Sequence, residues 1–179
     1  MPSYFSQFPK IAYDIKGDNH YKVIPDIFRR IKVRSKLRDE ISLLDTYNVE
    51  EGDKPETVAY KAYGSTDYFW IVCLMNDIRN VYYDWPLDSY AFDQFMKDKY
   101  DNADGIHHYE IVQSSGQTIG KGPEDYSHKI EVNSDTPGAT PITNYEYERR
   151  LQDKKRQIKL LGAQYLHLFV TEFNALLVK

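Results

Sequence analysis

Five histidines and a single cysteine are the side chains of widest chemical range in this 179-residue chain. His107 and His108 are adjacent. Neighbours on a strand project to opposite faces, so the spacing does not bring both to one metal ion. His20, His128 and His167 stand alone. One cysteine excludes a disulfide framework and a cysteine zinc site. Cys73 also lies on an apolar helical stripe, which favours burial as a small hydrophobe over a thiolate activated by a base. The carboxylates are numerous, but no pair is marked by its spacing as an acid and base. GQTIGKG at 116–122 has glycines and a lysine without the G-x-x-x-x-G-K-[ST] spacing of a phosphate loop. These residues point to no catalytic centre, no metal and no cofactor, and therefore to a protein that is not an enzyme.

The elements around these residues are best defined at 45–76. Residues 45–49 are β-prone and end at the turn signal Glu50-Glu51-Gly52. Asp53 reads as an N-cap, with Glu56 completing a capping box and Pro55 in the first turn. Val58, Ala59 and Ala62 share one helical face, and Gly64 stops the helix as a C′ residue. Ser65-Thr66-Asp67 caps a second helix. Its stripe is Phe69, Val72 and Cys73, with Trp70 and Leu74 at the edge and Asn76-Asp77 at its end.

On either side the pattern loosens. Residues 1–25 have aromatics, three prolines and no helical period, which predicts an extended arm with a short strand at 10–15. Asp26 is placed to cap a helix over 27–37. VYYDWPL at 81–87 predicts a packed corner followed by a short strand. A helix from Asp88 or Ser89 to about Tyr100 buries Phe92, Phe95 and Met96. Strands follow at 107–113 and 128–132, joined by a Gly-rich loop, and 133–141 reads as a turn. A polar helix at 142–154 carries a Glu146–Arg150 pair at i,i+4. Residues 157–161 alternate as a short strand. Leu166, Phe169, Val170, Phe173 and Leu177 mark the cleanest amphipathic helix.

Composition bounds the partners. A net charge of −4, with acids interspersed among the basic runs at 29–38 and 149–159, describes solvated faces or protein interfaces rather than a nucleic-acid surface. No apolar run approaches the roughly 20 residues that cross a bilayer, which excludes a membrane partner of that kind. The opening MPSYFSQFPK lacks the apolar stretch of a secretory leader. Sixteen tyrosines are many for this length, and tyrosine is enriched where proteins meet.

Tyr47, Val49, Gly52-Asp53, Val58-Ala59, Tyr63-Gly64 and a helix ending at Asn76 resemble the LysM pattern. DIFRR at 26–30, YFWIVCLMND at 68–77, VYYDWPL at 81–87 and KRQIKLL at 155–161 resemble the LysM-containing baseplate wedge subunit of T-even-like contractile-tailed phages. The similarity runs from about residue 26 to the C-terminus. The expected fold is α+β: a LysM-like β-α-α-β module at 43–87, preceded by an arm and short helix at 1–42. A helix and loop/strand insertion at 88–141 and a helical extension at 142–179 follow.

The resemblance implies a structural subunit of the virion's tail baseplate, assembled in the host cytoplasm. It would clamp wedge proteins together and link adjacent wedges. The alternative is a peptidoglycan- or chitin-binding module. Its groove would lie between residues 50–54 and 77–81, with Tyr82, Tyr83 and Trp85 as an aromatic platform. Those aromatics equally fill a corner of the fold or meet a protein, and a single module without repeats gains no avidity for sugar. Trp70 is either core-rim packing or an interface anchor. The expected partner contacts are Phe5, Phe8, Arg29, Arg30, Trp70, Tyr82, Tyr83 and Trp85.

Overall fold

Alternation of Ile158 and Leu160 with polar neighbours makes residues 157–161 a strand with one buried face, Leu161 adds a buried residue on the other face, and that strand organises the first body of the fold. The structure is a computed structural model that describes residues 4–29, 31–33, 43–112 and 129–178. The chain divides into two bodies, one from Met1–Pro86 with Lys155–Lys179 and one from Leu87–Lys154. Both helices and small antiparallel sheets occur, as an α+β fold requires.

In the first body, β1 (Lys10–Asp14) and β2 (Tyr21–Pro25) form an antiparallel hairpin. The arm expected at 1–25 thus folds back on itself. Asp14 ties its loop, accepting the N–H groups of Lys16 at 3.1 Å, Gly17 at 2.8 Å and Asn19 at 2.8 Å. Gly17 and Asn19 take positive φ, the region that glycine and asparagine tolerate. A 3-10 turn at Tyr4–Gln7 precedes the hairpin. The helix expected over 27–37 does not begin where predicted. Residues 27 and 28 form a turn and 31–33 are irregular, while residues 30 and 34–37 lie outside the described residues. Asp26 spends its carboxylate locally, on the N–H of Phe28 and the Nε of Arg29, which competes with helix initiation.

β3 (Leu44–Asn48) leads through Gly52 to α1 (Pro55–Tyr63), which ends at Gly64 with φ 74° and an N–H bonded to the Tyr60 carbonyl. A 3-10 turn at Thr66–Tyr68, capped by Ser65, runs into α2 (Phe69–Met75). The next segment is not a strand. α3 (Val81–Asp84) is a single helical turn, since Asn80 accepts the Tyr82 N–H and Asp84 accepts the N–H groups of Arg79 and Asn80. β3 pairs instead with β7 (Gln157–Leu161), antiparallel, with Leu44 opposite Leu161 and Tyr47 opposite Ile158. A 3-10 turn at Ala163–Tyr165 then leads into a last helix, Leu166–Val178.

Two apolar clusters fill this body. Val49, Val58, Ala59, Val72, Trp85, Ile158 and Leu160 form one, where α1 and α2 cover the sheet. Phe8, Val33, Trp70, Ile71, Met75, Leu161, Phe173 and Leu177 form the other. Asn76 joins α2 to β7. Its side-chain nitrogen donates to the carbonyls of Val72 at 2.9 Å and Lys159 at 2.8 Å, and its side-chain oxygen accepts the Lys159 N–H at 2.8 Å. The amide acts as a short strand laid along Lys159.

The second body begins with α4 (Ser89–Lys99), capped by Asp88 through the Ala91 N–H at 2.7 Å. β4 (Ile106–Val112) is the central strand of three, with β5 (Lys129–Val132) and β6 (Thr140–Thr143) antiparallel on either side. Pro141 sits in an edge strand, where a missing N–H is tolerated. α5 (Asn144–Arg156) starts from β6. Phe92, Met96 and Ile142 are buried here. Glu148 is buried too, and accepts from Lys99 Nζ at 2.6 Å and the Tyr100 hydroxyl at 2.9 Å. The expected Glu146–Arg150 pair forms, and Arg150 also grips Glu110. Leu87 N–H donates to Gln152 Oε1 at 3.0 Å, which ties the first residues of this body to its last helix. The Gly-rich stretch at 116–122 lies outside the described residues.

Candidate functional site

The histidine pair departs from its expected geometry. A β-bulge between Ile106 and His108 breaks the strand alternation, and the two rings turn together. His107 Nδ1 lies 2.8 Å from His108 Nδ1, so one donates and the other accepts. His107 stacks on Tyr147 at 3.9 Å, and His108 Nε2 contacts Glu110 at 2.9 Å. Arg150 and His108 hold the Glu110 carboxyl below its usual value against the desolvation that raises it. Among the described residues no group of three or more His, Cys, Asp or Glu side chains could hold a metal. Cys73 is half-buried, and burial pushes its thiol up to about 11.

The loop at 50–54 is held shut by its own polar groups. Asp53 does not cap α1, whose N-cap is Lys54 without a side-chain bond. Its carboxylate instead accepts the Tyr47 hydroxyl at 2.8 Å, Lys61 Nζ at 3.0 Å and the Glu50 N–H at 3.3 Å. Desolvation raises the Asp53 pKa, but Lys61 and Tyr47 outweigh it and leave the carboxyl below its usual value. Lys61 also reaches Glu50 at 2.7 Å. Trp85 closes the loop from the other side. Its ring is buried, 6% exposed, and its Nε1 donates to the Asp53 carbonyl at 2.8 Å. Of the three aromatics expected as a sugar platform, the Trp85 indole is therefore buried, while Tyr82 and Tyr83 are exposed.

The eight expected contact residues separate by burial. Phe8, Trp70 and Trp85 belong to the apolar clusters of the first body. Trp70 is 5% exposed, with Phe173 at 4.5 Å, Tyr4 at 5.5 Å and Phe169 at 6.3 Å between ring centroids. Of its two readings, core packing describes its place in the free chain. Arg29 bonds Asp26 and, through Nη1, the carbonyl of Leu177 in the last turn of the C-terminal helix, α6 (Leu166–Val178). Arg30 lies outside the described residues. Phe5, Tyr82 and Tyr83 face solvent, and the two tyrosines are 88% and 75% exposed.

Tyr82 and Tyr83 stand on a rigid base. Asp84 bonds two N–H groups upstream of them, Trp85 is anchored downstream, and Lys155 Nζ donates to the Tyr83 carbonyl at 2.6 Å. Exposed, preorganised tyrosines offer contact area at small entropic cost. Sequence spacing alone could not divide these aromatics, because helical edge positions and corner positions look alike until their neighbours are known. No helix is long and apolar enough to cross a membrane among the described residues.

Residues 3–176 match the family described as base plate wedge protein 53. The chain is also 27% identical, over 188 aligned residues, to the baseplate wedge protein gp53 of Enterobacteria phage T4. That alignment covers 98% of this chain and 96% of the phage T4 protein.

Proposed function

The chain belongs to the base plate wedge protein 53 family, and from this we propose that it is a non-enzymatic clamp, joining wedge proteins and linking neighbouring wedges of a phage tail baseplate. Its place is the virion's tail baseplate, its partners are other baseplate wedge proteins and adjacent wedges, and it is assembled in the host cytoplasm. The observation that carries the clamp is the pinned, solvent-facing pair Tyr82 and Tyr83. Phe5 adds an exposed aromatic, while Phe8, Trp70 and Trp85 set the shape that presents them. Against the glycan-binding alternative stand the buried Trp85 indole and the internally bonded Asp53 loop.

The test pairs Tyr82→Ala with Tyr83→Ala in the full chain. Both rings are exposed, so the thermal midpoint should stay within a degree or two of the parent, since surface changes cost under about 0.5 kcal/mol. Incorporation into wedges, measured as stoichiometry in purified particles, should fall by roughly tenfold or more, since interface tyrosines often contribute above about 1 kcal/mol each. Normal incorporation would remove the tyrosines from the clamp. Retention of the chain on insoluble peptidoglycan or chitin would favour the alternative.

A further inference from the structure

The bulge in β4 brings the His107 and His108 rings together, and their other contacts fix where the protons sit. Arg150 Nη1 bonds both oxygens of Glu110, at 2.8 and 2.7 Å. Desolvation raises the Glu110 pKa, but Arg150 and His108 outweigh it and hold the carboxyl below its usual value. Glu110 is therefore an acceptor throughout the range in which histidines gain protons. It accepts from His108 Nε2 at 2.9 Å, so that nitrogen carries a proton. In the neutral pair His108 Nδ1 is then bare and accepts from His107 Nδ1–H across 2.8 Å. The remaining nitrogen, His107 Nε2, belongs to an exposed ring stacked on Tyr147.

The pair takes one added proton, on His107 Nε2, without losing a contact. A second must go to His108 Nδ1, where it faces His107 Nδ1–H. Two donors on two positive rings then stand 2.8 Å apart. The His108 side chain is 10% exposed and held by Glu110, so it cannot turn to water without giving up that bond. Among the described residues, the other charged and titratable groups around the pair come from two elements. β5 brings Lys129, 3.8 Å from Glu110, and Glu131, opposite Glu110 in register. α5 brings Glu146, Tyr147 and Arg150, with Arg150 bonded to Glu146 and Glu110. β6, which pairs with this part of β4, has no titratable residue.

We propose that His107 and His108 form a proton-operated catch on the β4–β6 pairing, closed while the two Nδ1 atoms share one proton and open once each carries its own. Ile106 lies opposite Thr143 and His108 opposite Ile142, so His107 is the extra residue of the bulge. The contact between the rings holds that residue folded into the ladder. Rings that repel release it, and the Ile106–Thr143 end of the pairing opens just before α5 begins. The device belongs to the second body and does not rest on the clamp.

Ring-nitrogen NMR and amide hydrogen exchange on the full chain, from about pH 8 down to about pH 4, test the catch. At the upper end one Nδ1 of the pair should be protonated and the other bare. The first added proton should leave the amides of the β4–β6 ladder unchanged. Uptake of the second should coincide with exchange of those amides at least about tenfold faster, while the β3–β7 ladder stays protected. Two independent titrations, each unaffected by substitution of the other ring, would overturn the catch. So would protonation of both rings with the β4–β6 ladder still protected, or loss of both ladders together, which is global acid unfolding. His107→Gln separates the catch from protonation of Glu110. Glutamine donates to His108 Nδ1 when that atom is bare and accepts from it when it is protonated, so the β4–β6 ladder should stay protected in acid. Opening of this variant at the same pH as the parent assigns the event to Glu110 and overturns the proposal. If His107→Gln does not fold, coincidence of the second uptake with opening in the parent decides alone.

Discussion

Replacing Asn76 should expose how the first body is locked. The side chain makes three hydrogen bonds, one back to Val72 and two to Lys159. Only one orientation of the amide satisfies them, because two partners are carbonyls and the third is an N–H. Each such bond contributes a net of about 0.5–1.5 kcal/mol. Lys159 is exposed, so water recovers part of the loss on truncation. Asn76→Ala should therefore cost about 2 kcal/mol, or roughly 4–8 °C in thermal midpoint for a chain of this size. Asn76→Asp should be worse at neutral pH, although it is nearly isosteric. It keeps the bond from the Lys159 N–H but aims a carboxylate oxygen at the carbonyls of Val72 and Lys159. That repulsion raises the pKa of the new carboxyl above its unfolded value. The penalty at neutral pH should then shrink as pH falls and the carboxyl becomes a donor. Chemical denaturation followed by circular dichroism at pH 7 and pH 4.5 measures both variants. An aspartate variant no less stable than the alanine variant at pH 7, or a gap that widens in acid, would refute the account of Asn76 as a strand mimic.

Two further outcomes follow from packing and charge. Trp70→Ala empties the centre of an aromatic cluster and should cost about 3–5 kcal/mol in the isolated chain, read from denaturant midpoints. A loss under about 1 kcal/mol would return Trp70 to the surface. Asp53 has a native pKa below its unfolded value of about 4, so its stabilisation is present above pH 4 and is lost as pH falls through the lower native value. Asp53→Asn should flatten the acid limb of the stability profile, and an unchanged limb would assign acid sensitivity to other carboxylates.

Local signals in the sequence located much of the secondary structure. Gly64 stopped α1, Asp88 capped α4, and the 157–161 alternation became β7. The spacing of Leu166, Phe169, Val170, Phe173 and Leu177 became the last helix. What escaped depended on partners that local residue patterns do not reveal. Asp53 has the residue type and position of an N-cap, yet Tyr47 and Lys61 offered its carboxylate better bonds. The rule that strand neighbours diverge failed at His107 and His108 because a bulge, invisible in composition, intervened. The second strand of the hairpin was missed because the alternation of Tyr21, Lys22 and Val23 breaks at Ile24 and the strand ends in proline. Among the expected contacts, the local pattern marked large aromatics without dividing them by burial. It could not say that Trp85 would turn inward while Tyr82 and Tyr83 turned out, since that is decided by the Asp53 carbonyl.

The pairing of β3 with β7 sets an order on biogenesis. Every residue of the second body is synthesised between these two strands. The first body therefore stays open while the ribosome completes the rest of the chain, with β3, α1 and α2 lacking the strand that covers their apolar side. Closing so long a loop is slow in an unstructured chain, because ends far apart in sequence must meet before any contact rewards them. The second body removes much of that delay if it folds first, since the Leu87–Gln152 bond already draws its own ends together. A chain cut before β7 therefore lacks the finished first body on which Tyr82 and Tyr83 stand. Emergence of β7 thus acts as a checkpoint for assembly, placed in the strand order itself.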